Sequence, residues 1–381
     1  MRFWRRRPPP PAPQPPTPDM LVTEDVLRRC VDGVLAVRER QIRGGVVVFR
    51  GALLADPARA LDILLARFKP IGYTPFLRAD AGEVVLSAWP LADTSEPQRI
   101  GVNVLLFALT CVSTLAAGWM FAGSETFDAL RNTPGPTRYL AGLPFAATLL
   151  AILGVHEFGH YFTARYYGAE VSLPYFIPAP PPLLFGTLGA IIRMRSPARD
   201  RNTLFDIAAA GPLAGLAVAL PAVLVGLAWS RLVPIPPEGR VIFGDSLLTS
   251  WLTHLYFGEI PRGMMVFTHP VVDAAWAGFF VTALNLVPVG QLDGGRIAYA
   301  LFGVRHRTVG IAAFVGLLAL GVVTGSANWF VWAALLFFMV GFRHGPPLDD
   351  LTPLSPGRRA LGWFCMALLV LLIPPVPIEV G

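Results

Sequence analysis

The stretch "LLAILGVHEFGHYFTARYYG", Leu149–Gly168, decides how this chain is read. Its left half is apolar enough to lie in a membrane, and its middle, "HEFGH", is a metal-binding pattern. On a helix, His156 and His160 stand four apart and share one face. Two imidazoles so placed can hold one zinc, and Glu157, next to the first, is placed to act as general base on an activated water. Ionisable side chains inside a span are costly and usually functional. Three within five residues of an apolar helix want a common partner, and a metal supplies one. The plainer alternative is a helix that ends at the interface, where His and Glu meet headgroups and water.

The rest of the chain supports a membrane setting. Of 381 residues, 54% are hydrophobic and only 15% charged, and the mean hydropathy is +0.55. Soluble domains carry about 25% charged residues. Seven apolar runs have roughly the length a bilayer demands: 101–122, 139–164, 205–229, 267–289, 308–325, 328–342 and 359–377. The net charge of +6 is almost all arginine, Lys69 being the only lysine, and no basic stripe with interleaved aromatics points to nucleic acid. Cys30, Cys111 and Cys365 lie far apart with no CxxC, which argues against a disulfide framework or a thiolate metal site.

Arginine placement orients the spans. With the N-terminus cytosolic, inside loops carry eleven arginines, from Arg165 to Arg359, and outside loops carry five: Arg131, Arg138, Arg231, Arg240 and Arg262. Positive charge favours the inside, and "RFWRRR" at the start agrees. The expected setting is a bacterial plasma membrane.

Residues 1–19 are basic, then proline-rich, with no apolar segment behind them, and read as a disordered tail. Residues 20–98 read as a small soluble α/β domain of the order helix-βαββ. Helical spacing runs over Glu24–Gln41, a strand covers Val46–Gly51, and Asp56 followed by Pro57 starts a helix to Phe68. A hairpin then turns at "DAG". Nothing in this domain looks catalytic. Residues 99–381 form the polytopic helical membrane domain, with a core at about 139–300.

A catalytic zinc usually takes three protein ligands and leaves one position open. "LNLVPVGQLDGGRIAYA", Leu284–Ala300, offers Asp293 as the third. Under the topology above, the spans carrying His156 and Asp293 both run outside to inside and end at similar depth. Pro288 is expected to break the helix, and Gly290, Gly294 and Gly295 to loosen it into a hydrated pocket.

These paired motifs, with "GTLGAIIRMRSPARDRNTLFDIAAAGPLAG" (Gly186–Gly215) between them, resemble the site-two protease family of intramembrane zinc metalloproteases, in the branch holding bacterial and chloroplast EGY-type members. The resemblance covers roughly residues 100–350. It implies one Zn2+ per chain on His156, His160 and Asp293, Glu157 as catalytic base, and Asn285 as a residue that helps hold substrate or the oxyanion. The implied substrate is a transmembrane protein cut within or near its span. One departure is "LDGGR" where relatives often have "LDGGH", and Arg296 reads as an interfacial anchor. The stretch Val171–Ser196 is apolar but proline-rich, so it reads as a membrane-associated β-hairpin rather than a span. Such an element could extend the substrate by strand addition. "GPLAG", Gly211–Gly215, reads as helix packing. His254 and His269 fall on the outer side, His306 and His344 in solvated inner loops. Two rival readings remain: an ion-coupled transporter using the His/Glu/Asp cluster, and a catalytically idle scaffold. Oligomeric state is not legible.

Overall fold

The computed structural model describes residues 18–91, 99–121, 130, 132–180, 184–235, 241–341 and 345–380. The proline-rich tail, through residue 17, lies outside them, as do Arg131, Arg240, Arg343 and His344. The chain forms two compact units. One comprises the residues up to Glu96 together with Ala198–Arg201 and Pro346–Pro353, and the other holds the remainder.

The first unit opens with helix α1 (Pro18–Val31) and strands β1 (Leu35–Arg43) and β2 (Val46–Leu53). The helix read over Glu24–Gln41 is therefore too long, and one strand was missed. Gly33 takes a left-handed φ of 75° and ends the helix. Leu35–Arg43 then pairs antiparallel with β2, with one register shift at Arg38, so tertiary pairing overrides the local spacing. Helix α2 (Pro57–Phe68) starts at the Asp-Pro signal: the Asp56 carboxylate accepts from the Ala58 N–H at 3.2 Å. It buries Ala60, Leu61, Leu64 and Phe68. Strands β3 (Tyr73–Asp80) and β4 (Glu83–Pro90) complete a sheet of order β1-β2-β4-β3.

The β3 edge is not left open. The Leu77 N–H donates to Leu348 O at 2.7 Å, and the Asp350 N–H donates to Leu77 O at 2.9 Å. Outside that segment, Asp349 N–H donates to Arg199 O at 2.8 Å. One piece of distant sequence thus covers part of an edge that would otherwise pair with another chain, and a second lies against the far side of that piece. Ion pairs Arg199–Asp62 and Arg201–Asp350, both 2.7 Å, fasten them.

In the second unit, four helical stretches among the described residues are long and apolar enough to cross a bilayer: Ile100–Met120, Pro136–Tyr166, Arg201–Ala228 and Asp293–Thr324. Helices suit lipid because each backbone group is satisfied within the segment. Apolar helices Pro270–Leu286 and Ala327–Phe338 are shorter. Labels follow chain order: α3 (Ile100–Phe121), α4 (Leu143–Tyr166), α5 (Arg201–Ala228), α6 (Leu247–Phe257), α7 (Pro270–Leu286), α8 (Asp293–Phe302), α9 (His306–Thr324), α10 (Ala327–Leu335) and α11 (Pro356–Leu372). Ile152, Phe205, Phe279 and Leu286 lie in one buried apolar cluster, and Phe145, Trp276, Phe280 and Trp329 in another.

Strands β5 (Tyr175–Pro178) and β6 (Thr187–Ile191) pair antiparallel, as a hairpin. Bonds from Ser172 N–H to Arg193 O and from Arg195 N–H to Glu170 O, with a Val171–Met194 bridge, continue it as a longer ribbon. Helix α3 braces the ribbon at two levels. The Asn103 amide donates to Leu173 O at 3.1 Å and Pro174 O at 2.9 Å. The Ser113 hydroxyl donates to Gly186 O at 2.6 Å.

Candidate metal centre

Helix α4 carries His156, Glu157 and His160, all buried. The histidines lie one turn apart, their Nε2 atoms 3.2 Å from each other. Asp293 opens α8, and its Oδ2 stands 3.3 Å from His156 Nε2 and 3.1 Å from His160 Nε2. The three atoms form a near-equilateral triangle. A tetrahedral ion with bonds of about 2.0–2.1 Å sets its ligand atoms about 3.3 Å apart, so the donor set fits zinc. The outer partner of His160 supports the fit. Its Nδ1 lies 2.6 Å from Ile207 O, and a carbonyl can only accept, so the proton is on Nδ1 and the Nε2 lone pair faces the triangle. This is the only such group of His, Cys, Asp or Glu among the described residues.

Asp293 reaches the triangle through a tight break between α7 and α8. Helix α7 ends at Leu286, and Gly290 turns with φ 51°. Gly294 and Gly295 do something other than loosen the backbone. Both are helical, and a Cβ on them would stand 1.9 Å from Leu286 O and 2.3 Å from Gly290 O. Only hydrogen fits there, so the "DGG" run lets the first turn of α8 press against the end of α7. Asn285, in the last turn of α7, brings its Nδ2 to 3.4 Å from His156 Nε2.

The "GPLAG" run in α5 is tied to the rings themselves. A Cβ at Gly211 would lie 2.1 Å from His160 Nε2, and one at Gly215 would lie 3.2 Å from His156 Cβ. Reading this motif as packing alone missed that the surface being packed is the pair of imidazoles. The available signal was a second small-residue pair at four-residue spacing, matching that of the histidines.

Glu157 is 5% exposed, and no described residue hydrogen-bonds its carboxylate. Its ionisable neighbours are His160, Asp293 and Arg296. Two of the other histidines bond elsewhere. His269 caps α7, accepting from the Val271 N–H at 3.3 Å, and His306 bonds Gly303 O at 2.9 Å.

Residues 144–327 match the family described as Peptidase family M50. The chain is 29% identical over 381 residues to "Probable zinc metalloprotease EGY2, chloroplastic" of Arabidopsis thaliana, covering 93% of this chain and 65% of that protein. Against the protein of the same name in Oryza sativa subsp. indica the identity is 34% over 382 residues, covering 94% and 67%. "Probable zinc metalloprotease EGY1, chloroplastic" of Arabidopsis thaliana is 35% identical over 245 residues, covering 62% and 43%. The chain therefore spans about two thirds of the length of the EGY2 proteins. No solved structure matches it.

Proposed function

The chain belongs to peptidase family M50, and from that premise we propose that it is an intramembrane zinc endopeptidase that cuts membrane proteins within or near their spans. The observation that carries this is the triangle of His156 Nε2, His160 Nε2 and Asp293 Oδ2, with sides of 3.1–3.3 Å, beside the buried Glu157, whose carboxylate no described residue hydrogen-bonds.

His156, His160 and Asp293 hold one Zn2+. A bound zinc supplies Lewis acidity toward a carbonyl and makes a water acidic near neutral pH. Glu157 takes the proton from the attacking water and passes it to the leaving amide nitrogen. A carboxylate with no partner of its own is free for both transfers. Asn285, next to His156, helps hold the substrate carbonyl. Ile207 O keeps His160 in the tautomer that frees Nε2. Helical substrate hides its amides, so the scissile segment must be extended, and the β5–β6 hairpin offers an edge for strand addition.

The chain is a multi-pass membrane protein with a small N-terminal strand domain. Within that frame we assign residues 20–98 to the soluble domain and 99–381 to about seven spans with the catalytic core at about 139–300. The hairpin lies at the membrane. The arginine bias supports a cytoplasmic N-terminus in a bacterial plasma membrane; the chloroplast belongs to the relatives' names. Neither the site nor the comparisons favour the ion-transport reading.

Zinc per chain in detergent-purified protein, native against Asp293→Ala, tests the site. About one zinc in the native protein and clearly less in the variant is expected. Glu157→Gln then keeps zinc and loses cleavage. Zinc indifferent to Asp293, or cleavage by Glu157→Gln, overturns the reading.

A further inference from the structure

Arg296 stands at the fourth residue of α8, three after Asp293, so both side chains leave the same face of the first turn. It is half-buried. Its guanidinium presents five donors, and among the described residues the one acceptor it meets is the Met194 sulfur, at 3.7 Å. A thioether is a weak acceptor. Two other half-buried arginines are treated differently: Arg358 grips Asp206 with two bonds of 2.7 Å, and Arg201 holds Asp350 at 2.7 Å. Glu157 interacts with Arg296 through space without forming an ion pair or hydrogen bond. A half-buried guanidinium with one weak protein acceptor keeps most of its donors open to an incoming group. Beside a metal triad inside a membrane protein, such a group points to a ligand.

Its surroundings say which ligand. Met194 belongs to the ribbon that continues the β5–β6 hairpin, bridged to Val171. Among the described residues strand β6 pairs with β5 on one edge only, and Leu188 and Ile191 on it are 58% exposed. A polypeptide laid along the free edge of β6 and onward toward Met194 passes the guanidinium. Main-chain groups of such a strand are taken by the ladder, whereas a carboxylate accepts the guanidinium fork in two parallel bonds.

We propose that Arg296 is a specificity residue that receives a carboxylate of the polypeptide substrate close to the cleavage point. The inference rests on the protease reading above and deepens it by naming a substrate class: segments with an acidic side chain, or a free chain end, near the bond to be cut. An arginine that only anchors α8 at the interface, its head snorkelling to water, makes no such choice.

Binding separates this proposal from the protease reading. The probes are fluorescent single-span Leu/Ala peptides with Asp, Asn or Lys placed at one flanking position at a time, each with a free or an amidated C-terminus. They are titrated onto the zinc-loaded Glu157→Gln protein, which holds peptide without consuming it. At one or two positions Asp is expected to bind about tenfold tighter than Asn, the scale of one charge-assisted bond. In the Glu157→Gln/Arg296→Glu protein the preference moves to Lys at the same positions. In the Arg296→Gln form the Asp and Asn peptides bind equally. A preference tied to the free C-terminus, and not to Asp, assigns the carboxylate to a chain end. Equal Asp and Asn binding at every position with Arg296 intact, or an Asp preference that survives Arg296→Gln, overturns the proposal. Zinc content of each variant reports that the fold is kept. Failure of the native protein to cut a peptide it binds with this preference counts against the protease reading, not against the role of Arg296.

Discussion

Replacing Gly211 with alanine tests whether α5 shapes the metal site. The added Cβ would sit 2.1 Å from His160 Nε2 and 2.5 Å from both Cδ2 and Cε1. Ordinary contact begins at 3.4 Å, so moving from 2.1 Å to 3.4 Å requires a shift of about 1.3 Å. The ring cannot swing aside cheaply: it is buried, and its Nδ1 is bonded to Ile207 O at 2.6 Å on the same helix. Moving α5 back instead would open its close contact with α4, where a Cβ at Gly159 already falls 2.8 Å from Ala210 O. Either response breaks a triangle whose sides are 3.1–3.3 Å. Loss of an outer partner of a ligand typically costs 10- to 100-fold in affinity, and displacing the ligand itself reaches the top of that range, about 100-fold or about 2.8 kcal/mol. Competition with a fluorescent zinc chelator reads this in detergent, with zinc counted per chain. Gly215→Ala is the graded comparison. Its Cβ meets His156 at 3.2–3.3 Å, so a few tenths of an ångström suffice and the loss is several-fold at most. Gly154→Ala, whose Cβ meets nothing within 4 Å, leaves zinc unchanged. Native zinc affinity in a folded Gly211→Ala protein would refute the packing of α5 on the histidine pair.

Two further outcomes follow from regions away from the metal triad. Burial pushes the Asp245 carboxyl above its ordinary value, opposed by the Thr249 hydroxyl that donates to it at 3.1 Å. A raised folded value means the contribution of Asp245 is fully present below its ordinary value of about 4 and is lost as pH rises through the folded one. Asp245→Asn, which keeps an acceptor for Thr249, is therefore more stable than native at pH 7. The gain vanishes near pH 3, and a thermal scan showing the same gain at both pH values would contradict it. Gly244 donates to Pro377 O at 3.0 Å and accepts from the Trp276 indole at 2.7 Å. A Cβ there would stand 1.7 Å from Val376 O, so Gly244→Ala pushes off the C-terminal strand Ile378–Val380. A loss of about 2 kcal/mol or more, with faster proteolysis of that segment, is expected; an unchanged unfolding midpoint would count against it.

The metal pair was legible in the sequence because its geometry is local. Four-residue spacing on one helix puts His156 and His160 on one face whatever the rest of the chain does. The apolar character of the spans is local too, as are the Asp56–Pro57 helix start and the prolines that keep Val171–Ser196 from being a straight span. Local spacing misled where long-range pairing took over, as when Leu35–Arg43 left the helix beyond Gly33 to pair with Val46–Leu53. Asp293, 133 residues downstream, was reached from the sequence only through span topology and resemblance. Tertiary structure alone showed Ile207 O on His160 and a Gly211 with no room for a Cβ against that ring. Tertiary structure also drew Pro346–Pro353 onto an edge strand of the first unit, and Ala198–Arg201 onto Pro346–Pro353. Residue pattern reports what a segment prefers within a few turns. Which distant backbone carbonyl, glycine or carboxylate comes within 3 Å of it is set by how the helices and strands pack.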